Sequence, residues 1–313
     1  MAARDRFDAL QRWRVFLIIV EPYPPAGGLP ALGLPPYGSR AILKGMDDSF
    51  LPSTDHGLLA ADEAPVARRI NADAGSALIL TCDHASRRVP RAMGDLGLEP
   101  KHFDRHIAYD IGAEAVTEIL SANLDATAVL AGYSRLVVDL NRPPAHPGGM
   151  PEVSDETLIP ANQNLTPAQV TVRLETFFEP YHRMVQRTVT DVWLRNKPPV
   201  LFSVHSFSPR FGGSPRPWDV GVLWNHDPRL AKPLIRLLHD RGLDVGDNLP
   251  YSGKDVAYTI DAHAGSCGLA NCVIEINQDQ VADDDGVARW AGILSEVLTE
   301  VLRDETLFKV EFY

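Results

Sequence analysis

Cysteine is scarce: Cys82, Cys267 and Cys272 are the only three in 313 residues, and no two form a Cys-x-x-Cys pair. That excludes a disulfide framework and a thiolate zinc finger, and points to a reducing compartment. Long apolar runs are also missing. The longest near the N-terminus, Val15–Val20, is far short of the roughly 20 residues a membrane span needs, and its Pro/Gly-rich sequel offers no clean small-residue cleavage site. A cytoplasmic protein is expected. No block of Lys or Arg occurs, and 41 acidic against 30 basic residues leave a formal net charge of −11. Nucleic-acid binding needs clustered positive charge to replace counterions, so a small-molecule partner is expected instead. The Gly-x-Ser-x-Gly elbow, the P-loop and the Gly-x-Gly-x-x-Gly fingerprint are absent as well.

The length and a 45% hydrophobic content allow one large α/β domain or two smaller ones, and one is favoured. Residues 21–40 carry Pro22-Tyr-Pro-Pro, Gly27-Gly28 and a further Pro-Pro, so the first ~45 residues read as a tail. The weak period of residues 8–20 leaves an amphipathic docking helix as the alternative. Residues 1–74 as a whole are taken as a largely irregular extension, and 75–313 as the single domain. From there short apolar strands alternate with helical stretches. Strands are expected at Ala77–Thr81, Ala128–Leu130, Val137–Leu140, Val200–His205, Asp219–Trp224 and Cys272–Ile276. Helices are expected at Ala113–Leu124, Pro167–Leu194, Arg229–Arg241 and Ala288–Arg303. This alternation implies a mixed, largely parallel sheet covered on both faces, a three-layer αβα arrangement.

The chemistry gathers at strand ends. His84 closes Leu78-Ile-Leu-Thr-Cys-Asp-His84 and His205 ends Val200–His205, and open α/β sheets build ligand sites at the carboxyl edge of their strands. Imidazole is a common zinc ligand, and catalytic zinc keeps three protein ligands and one open position. Asp110 is the choice for the third ligand, because the spacing of His106-Ile-Ala-Tyr-Asp110 puts both residues on one face if the segment is helical. Asp83 and His106 are the reserves. The plainer alternative is two hydrogen-bonded structural histidines and a helix-capping Asp110. Glu275 interrupts the apolar strand Val273-Ile-Glu275-Ile276. A buried charge there costs several kcal/mol unless it meets a partner or a metal, and a glutamate beside zinc serves as general base. Pairing with an arginine is the alternative. Arg135, Arg142 and Arg216 are candidate anchors for an anionic substrate through their planar forks, with Asn141 beside Arg142; pairing of any of them with Asp139 or Glu275 is the alternative. Tyr258, Thr259 and His263, in an irregular stretch before Glu275, are candidates for substrate contact. Cys82 as a nucleophile ranks below metal chemistry.

Six stretches in order, Cys82-Asp-His-Ala-Ser86, His106–Ala113, Tyr133–Arg142, Pro180-Tyr-His182, His205-Ser-Phe-Ser-Pro209 and Asn248-Leu-Pro-Tyr251, resemble the N-formylglutamate amidohydrolase family over roughly residues 75–302. The resemblance implies a fold similar to zinc carboxypeptidases and aspartoacylase-like hydrolases. It also implies zinc or another divalent metal held by His84, His205 and a carboxylate, water activation by Glu275, and a substrate carboxylate received by Asn141-Arg142. Where the carboxypeptidase pattern has a glutamate three residues after the first histidine, this chain has Arg87, and Asn277 follows the strand glutamate where an arginine is usual. The implied substrate is a small anionic N-acyl amino acid such as N-formylglutamate, an intermediate of histidine breakdown. A zinc peptidase or cell-wall amidase, or a non-catalytic binding member, are the rival readings.

Overall fold

The computed structural model describes residues 57–144 and 146–313; the tail and the docking-helix alternative of residues 8–20 lie outside them. Three runs of apolar and branched residues make the central strands, β2 (Leu78–Cys82), β4 (Val200–Phe207) and β7 (Asn271–Asn277), and nearly every residue in them is buried. Such continuous burial is what strands covered on both faces show. With β1 (Ala67–Ile70), β3 (Thr127–Ala131), β5 (Val220–Leu223) and β6 (Val245–Asp247) they form a seven-stranded sheet in the order β1-β3-β2-β4-β7-β5-β6. The middle strands β3, β2, β4 and β7 run parallel, while β1 and β5 pair antiparallel with β3 and β7. The sheet is therefore mixed and largely parallel, as the sequence pattern implies.

Side chains of a strand alternate between faces. Leu80, Phe202 and Ile274 pack with helices α1 (Ala113–Asn123), α4 (Ala231–His239) and α6 (Asp284–Val301), around Trp290. Ile79, Leu201 and Val273 face the other way, onto Val189 and Val192 of α3 (Glu179–Arg195) and Ile260 of α5 (Tyr258–His263). Continuing this second series toward the carboxyl ends gives Thr81, Ser203, His205 and Glu275. The core face thus turns polar where the strands end. No helix among the described residues is long and apolar enough to cross a membrane.

Four expectations need correction. Strand β1 lies within the stretch 1–74 read as largely irregular, and closes one edge of the sheet. Val137–Leu140 is buried but is not a strand. Its backbone bonds go elsewhere: Leu136 O accepts from Asn162 Nδ2 at 3.0 Å, Val137 O from Arg173 Nη1 at 3.2 Å and Leu140 O from His182 Nε2 at 2.9 Å, so no ladder is needed. The expected helix Pro167–Leu194 is α2 (Pro167–Arg173) and α3 joined by a π-helical turn, Leu174–Phe178. Finally, His106–Asp110 is a loop rather than a helix, held by Asp110 N–H donating to His84 O at 2.9 Å.

Candidate functional site

Register assembles the site. Strands β2 and β4 are parallel neighbours with Thr81 opposite Ser203, so His205 near the carboxyl end of β4 and His84 two residues past β2 come to the same edge. On the other side of β4, Glu275 of β7 stands directly opposite His205. Asp110 comes from the loop bonded to His84, just ahead of α1. That helix starts at Gly112, whose φ of +76° suits glycine and where a Cβ would lie 2.4 Å from Val281 O.

The two imidazoles converge on one carboxylate oxygen. Asp110 Oδ2 lies 2.8 Å from His205 Nδ1 and 3.3 Å from His84 Nδ1, with the ring centroids 5.0 Å apart. The far nitrogens have carboxylates of their own: His84 Nε2 donates to Asp139 Oδ1 at 2.8 Å and His205 Nε2 to Asp83 Oδ2 at 3.1 Å. A carboxylate behind each ring holds its Nε2 and turns Nδ1 toward Asp110, the usual support of metal-bound histidines. Potential ligand atoms of His84, Asp110 and His205 all lie within 4.8 Å of one another. Two imidazoles and one carboxylate suit a three-ligand divalent site, so these residues form a possible metal-binding triad.

The same contacts set the charges of the cluster. Burial acts to lower the His205 pKa, but the bonded carboxylates of Asp110 and Asp83 raise it well above the ordinary value. His84 is raised too, Asp139 and Asp110 overcoming burial and Arg135. Burial favours neutral Asp110, yet His84 and His205 hold it well below the carboxylate range. Glu275 goes the other way. Burial first, with the Asp110 charge adding and His205 opposing, pushes it up to about 7, and its buried Oε2 has no hydrogen-bond partner among the described residues. An orphaned carboxylate oxygen beside three converging ligand atoms is unusual in a folded chain and fits a site built around a cation and its water.

A cavity of about 470 Å³ opens onto this cluster, lined by His84, Asp110, His205, Glu275, His106, Arg135, Asn141, Arg142, Arg216 and others. Arg135 is engaged by acids, donating to Asp139 Oδ2 at 2.7 Å and to Asp110 Oδ1 at 3.4 Å. Arg142 bonds Asp255 O, and Arg216 bonds Ser208 O and Tyr251 Oη while stacking on the Tyr251 and Phe211 rings. Asn141 has its amide engaged at both ends, donating to Val256 O and accepting from Thr259 N–H. Of the reserve ligands, His106 lines the cavity, whereas Asp83 sits behind His205. Tyr258 is not brought to the cavity. The expected irregular stretch forms α5 there, which turns Tyr258 onto Phe178 and His182. Two supporting carboxylates, Asp83 and Asp139, had weak signals: each interrupts or follows an apolar run.

Behind the site a second pair of imidazoles is buried. His182 donates to Leu140 O, and its Nδ1 lies 2.9 Å from His263 Nε2 and accepts from it. Burial, helped at His263 by His182, depresses the two to about 4 and about 3. A depressed histidine contributes stability that is fully present above the unfolded value near 6.5 and is lost as pH falls through the folded value. The contribution is on the order of 3 kcal/mol. In urea unfolding between pH 7 and pH 4, His263→Gln, which keeps an N–H donor but cannot titrate, is expected to lose less stability with acid than the wild type. Equal losses would contradict this.

Residues 76–282 match the sequence profile of the N-formylglutamate amidohydrolase family. The chain belongs to that family. Two solved structures are similar to this N-formylglutamate amidohydrolase family member. The gene product Atu2144 from Agrobacterium tumefaciens is 34% identical, with a TM-score of 0.77 over 80% of this chain and 99% of that one. An N-formylglutamate amidohydrolase from Ralstonia eutropha JMP134 is 19% identical, with a TM-score of 0.55 over 80% of this chain and 96% of that one, a likeness of fold. A comparison with curated proteins finds no match. Membership makes the protein an amidohydrolase by family, and its cavity the place to look for that chemistry.

Proposed function

We propose that this protein hydrolyses the acyl-amide bond of a small anionic N-acyl amino acid, with N-formyl-L-glutamate, giving formate and glutamate, as the leading substrate. The reading is supported most by the two histidine Nδ1 atoms converging on Asp110 beside a carboxylate, Glu275, whose Oε2 is buried and unbonded. His84, Asp110 and His205 would hold zinc or another divalent ion. Bound there, the ion supplies Lewis acidity, polarising the acyl carbonyl and lowering the pKa of water. Glu275 takes a proton from the attacking water and returns it to the departing amine, the usual exchange of general base and general acid. Asp83 and Asp139 hold the two imidazoles in the orientation that ligation needs.

The substrate carboxylates meet Arg142 and Arg216, which line the cavity and make no ion pair with a carboxylate among the described residues. Arg135, paired with Asp139 and Asp110, orients those acids instead. In a chain of net charge −11, such a local cluster focuses positive potential at the cavity and draws an anion to it. The test is release of glutamate from N-formylglutamate before and after chelation. Release that stops with chelator and returns with added zinc supports the reading, and faster turnover of N-formylglutamate than of N-formylleucine supports the anionic substrate. Release untouched by chelation would overturn the metal-dependent mechanism.

A further inference from the structure

Helix α3 lends no side chain to the cavity wall, yet it reaches the supports of both histidines. Tyr181 Oη donates to Asp83 Oδ1 at 2.5 Å, and Asp83 Oδ2 accepts from His205 Nε2 at 3.1 Å and from Ser203 Oγ at 3.4 Å. One residue on, His182 bonds the carbonyl of Leu140, next to the Asp139 that holds His84. Tyr181, Asp83 and His205 are each at most 1% exposed, so no solvent can stand in for a missing donor. The π-helical turn Leu174–Phe178 just ahead of α3 inserts one extra residue, which turns all that follows by about 100° relative to an unbroken α-helix. That rotation faces Tyr181 toward Asp83.

We infer that Tyr181 is a positioning residue of the metal centre: its hydroxyl fixes Asp83, and Asp83 holds the His205 ring through Nε2 so that Nδ1 faces Asp110 and the place of the ion. This rests on the reading of His84, Asp110 and His205 as metal ligands. The physical reason is the donor count at Asp83. Without the phenol, Oδ1 is a buried carboxylate oxygen with no donor among the described residues. The carboxyl group is then driven to turn toward another donor. That turn loosens the Nε2 bond that orients His205, and with it the aim of Nδ1 at the place of the ion. Loss of such a supporting group typically costs 10–100-fold in metal affinity.

The experiment measures zinc affinity of the full chain by chelator competition for the wild type, Tyr181→Phe, Asp83→Asn and the double variant, with circular dichroism to confirm folding. Tyr181→Phe keeps the ring and its packing on His182, and a loss of tenfold or more is expected. The double variant is expected to bind no more weakly than Asp83→Asn alone, because the phenol acts through that carboxylate. A role confined to packing would not give this non-additivity. Affinity within threefold of the wild type in Tyr181→Phe, or losses that simply add, would overturn the inference. Should Asp83→Asn not fold, the Tyr181→Phe affinity alone decides by the same tenfold and threefold limits. A wild type that takes up no zinc would instead overturn the metal reading beneath it.

Discussion

Glu275→Gln is expected to lower kcat by about 10²–10⁴, the range for losing a general base, while zinc affinity stays near that of the wild type. Three observations set this apart from an ordinary buried carboxylate. Glu275 stands directly across the strand pair from His205, so it borders the ligand cluster without belonging to it. Its Oε2 has no hydrogen-bond partner among the described residues, so the amide replaces no existing bond at that atom and the fold has little reason to respond. Its pKa is pushed up to about 7 by burial, ahead of the opposing charge of His205, and a base is most effective when its pKa lies near the operating pH. Steady-state kinetics beside a zinc titration separates the two effects. Unchanged turnover would remove Glu275 from the reaction, and a large fall in zinc affinity would move it into the ligand set.

His205→Ala is expected to do the reverse, emptying the site first and losing activity as a consequence. The substitution deletes one Nδ1 and also unbalances two buried acids, since His205 bonds Asp110 on one side and Asp83 on the other. Zinc affinity is expected to fall by more than ~100-fold, beyond what loss of a supporting group produces. The metal-free protein should also lose stability, on the order of 3–5 kcal/mol, because one partner of a buried charged cluster is gone. Urea unfolding reads the second effect and chelator competition the first. A variant that holds zinc as the wild type does would place the ion elsewhere.

The histidines and the glutamate were legible because each breaks a local rule. His84 comes just beyond the end of an apolar strand and His205 two residues before the end of another, and Glu275 puts a carboxylate inside a third, so their placement needed only the period of two and the parallel register. Asp110 reaches the same cluster by a different route. Helical spacing from His106 suggested it, whereas a backbone bond between two loops delivers it. Val137–Leu140 misled because an apolar run reads alike as a buried strand and as a buried loop. What distinguishes them are the donors Asn162, Arg173 and His182, which lie far along the chain. The fork of Arg135 was legible, and so was Asp139 four residues on as a rival partner; the second pairing, with Asp110 from a separate loop, arises only on folding. A π-helical turn leaves no mark in a pattern read by its period, so the aim of Tyr181 was not foreseeable.

Metal content per chain of the purified, dialysed protein, read by elemental mass spectrometry, tests the account most directly. It predicts close to one zinc or other divalent ion per wild-type chain and almost none in His205→Ala. A wild-type chain that takes up no divalent ion, even after incubation with excess zinc, would contradict it.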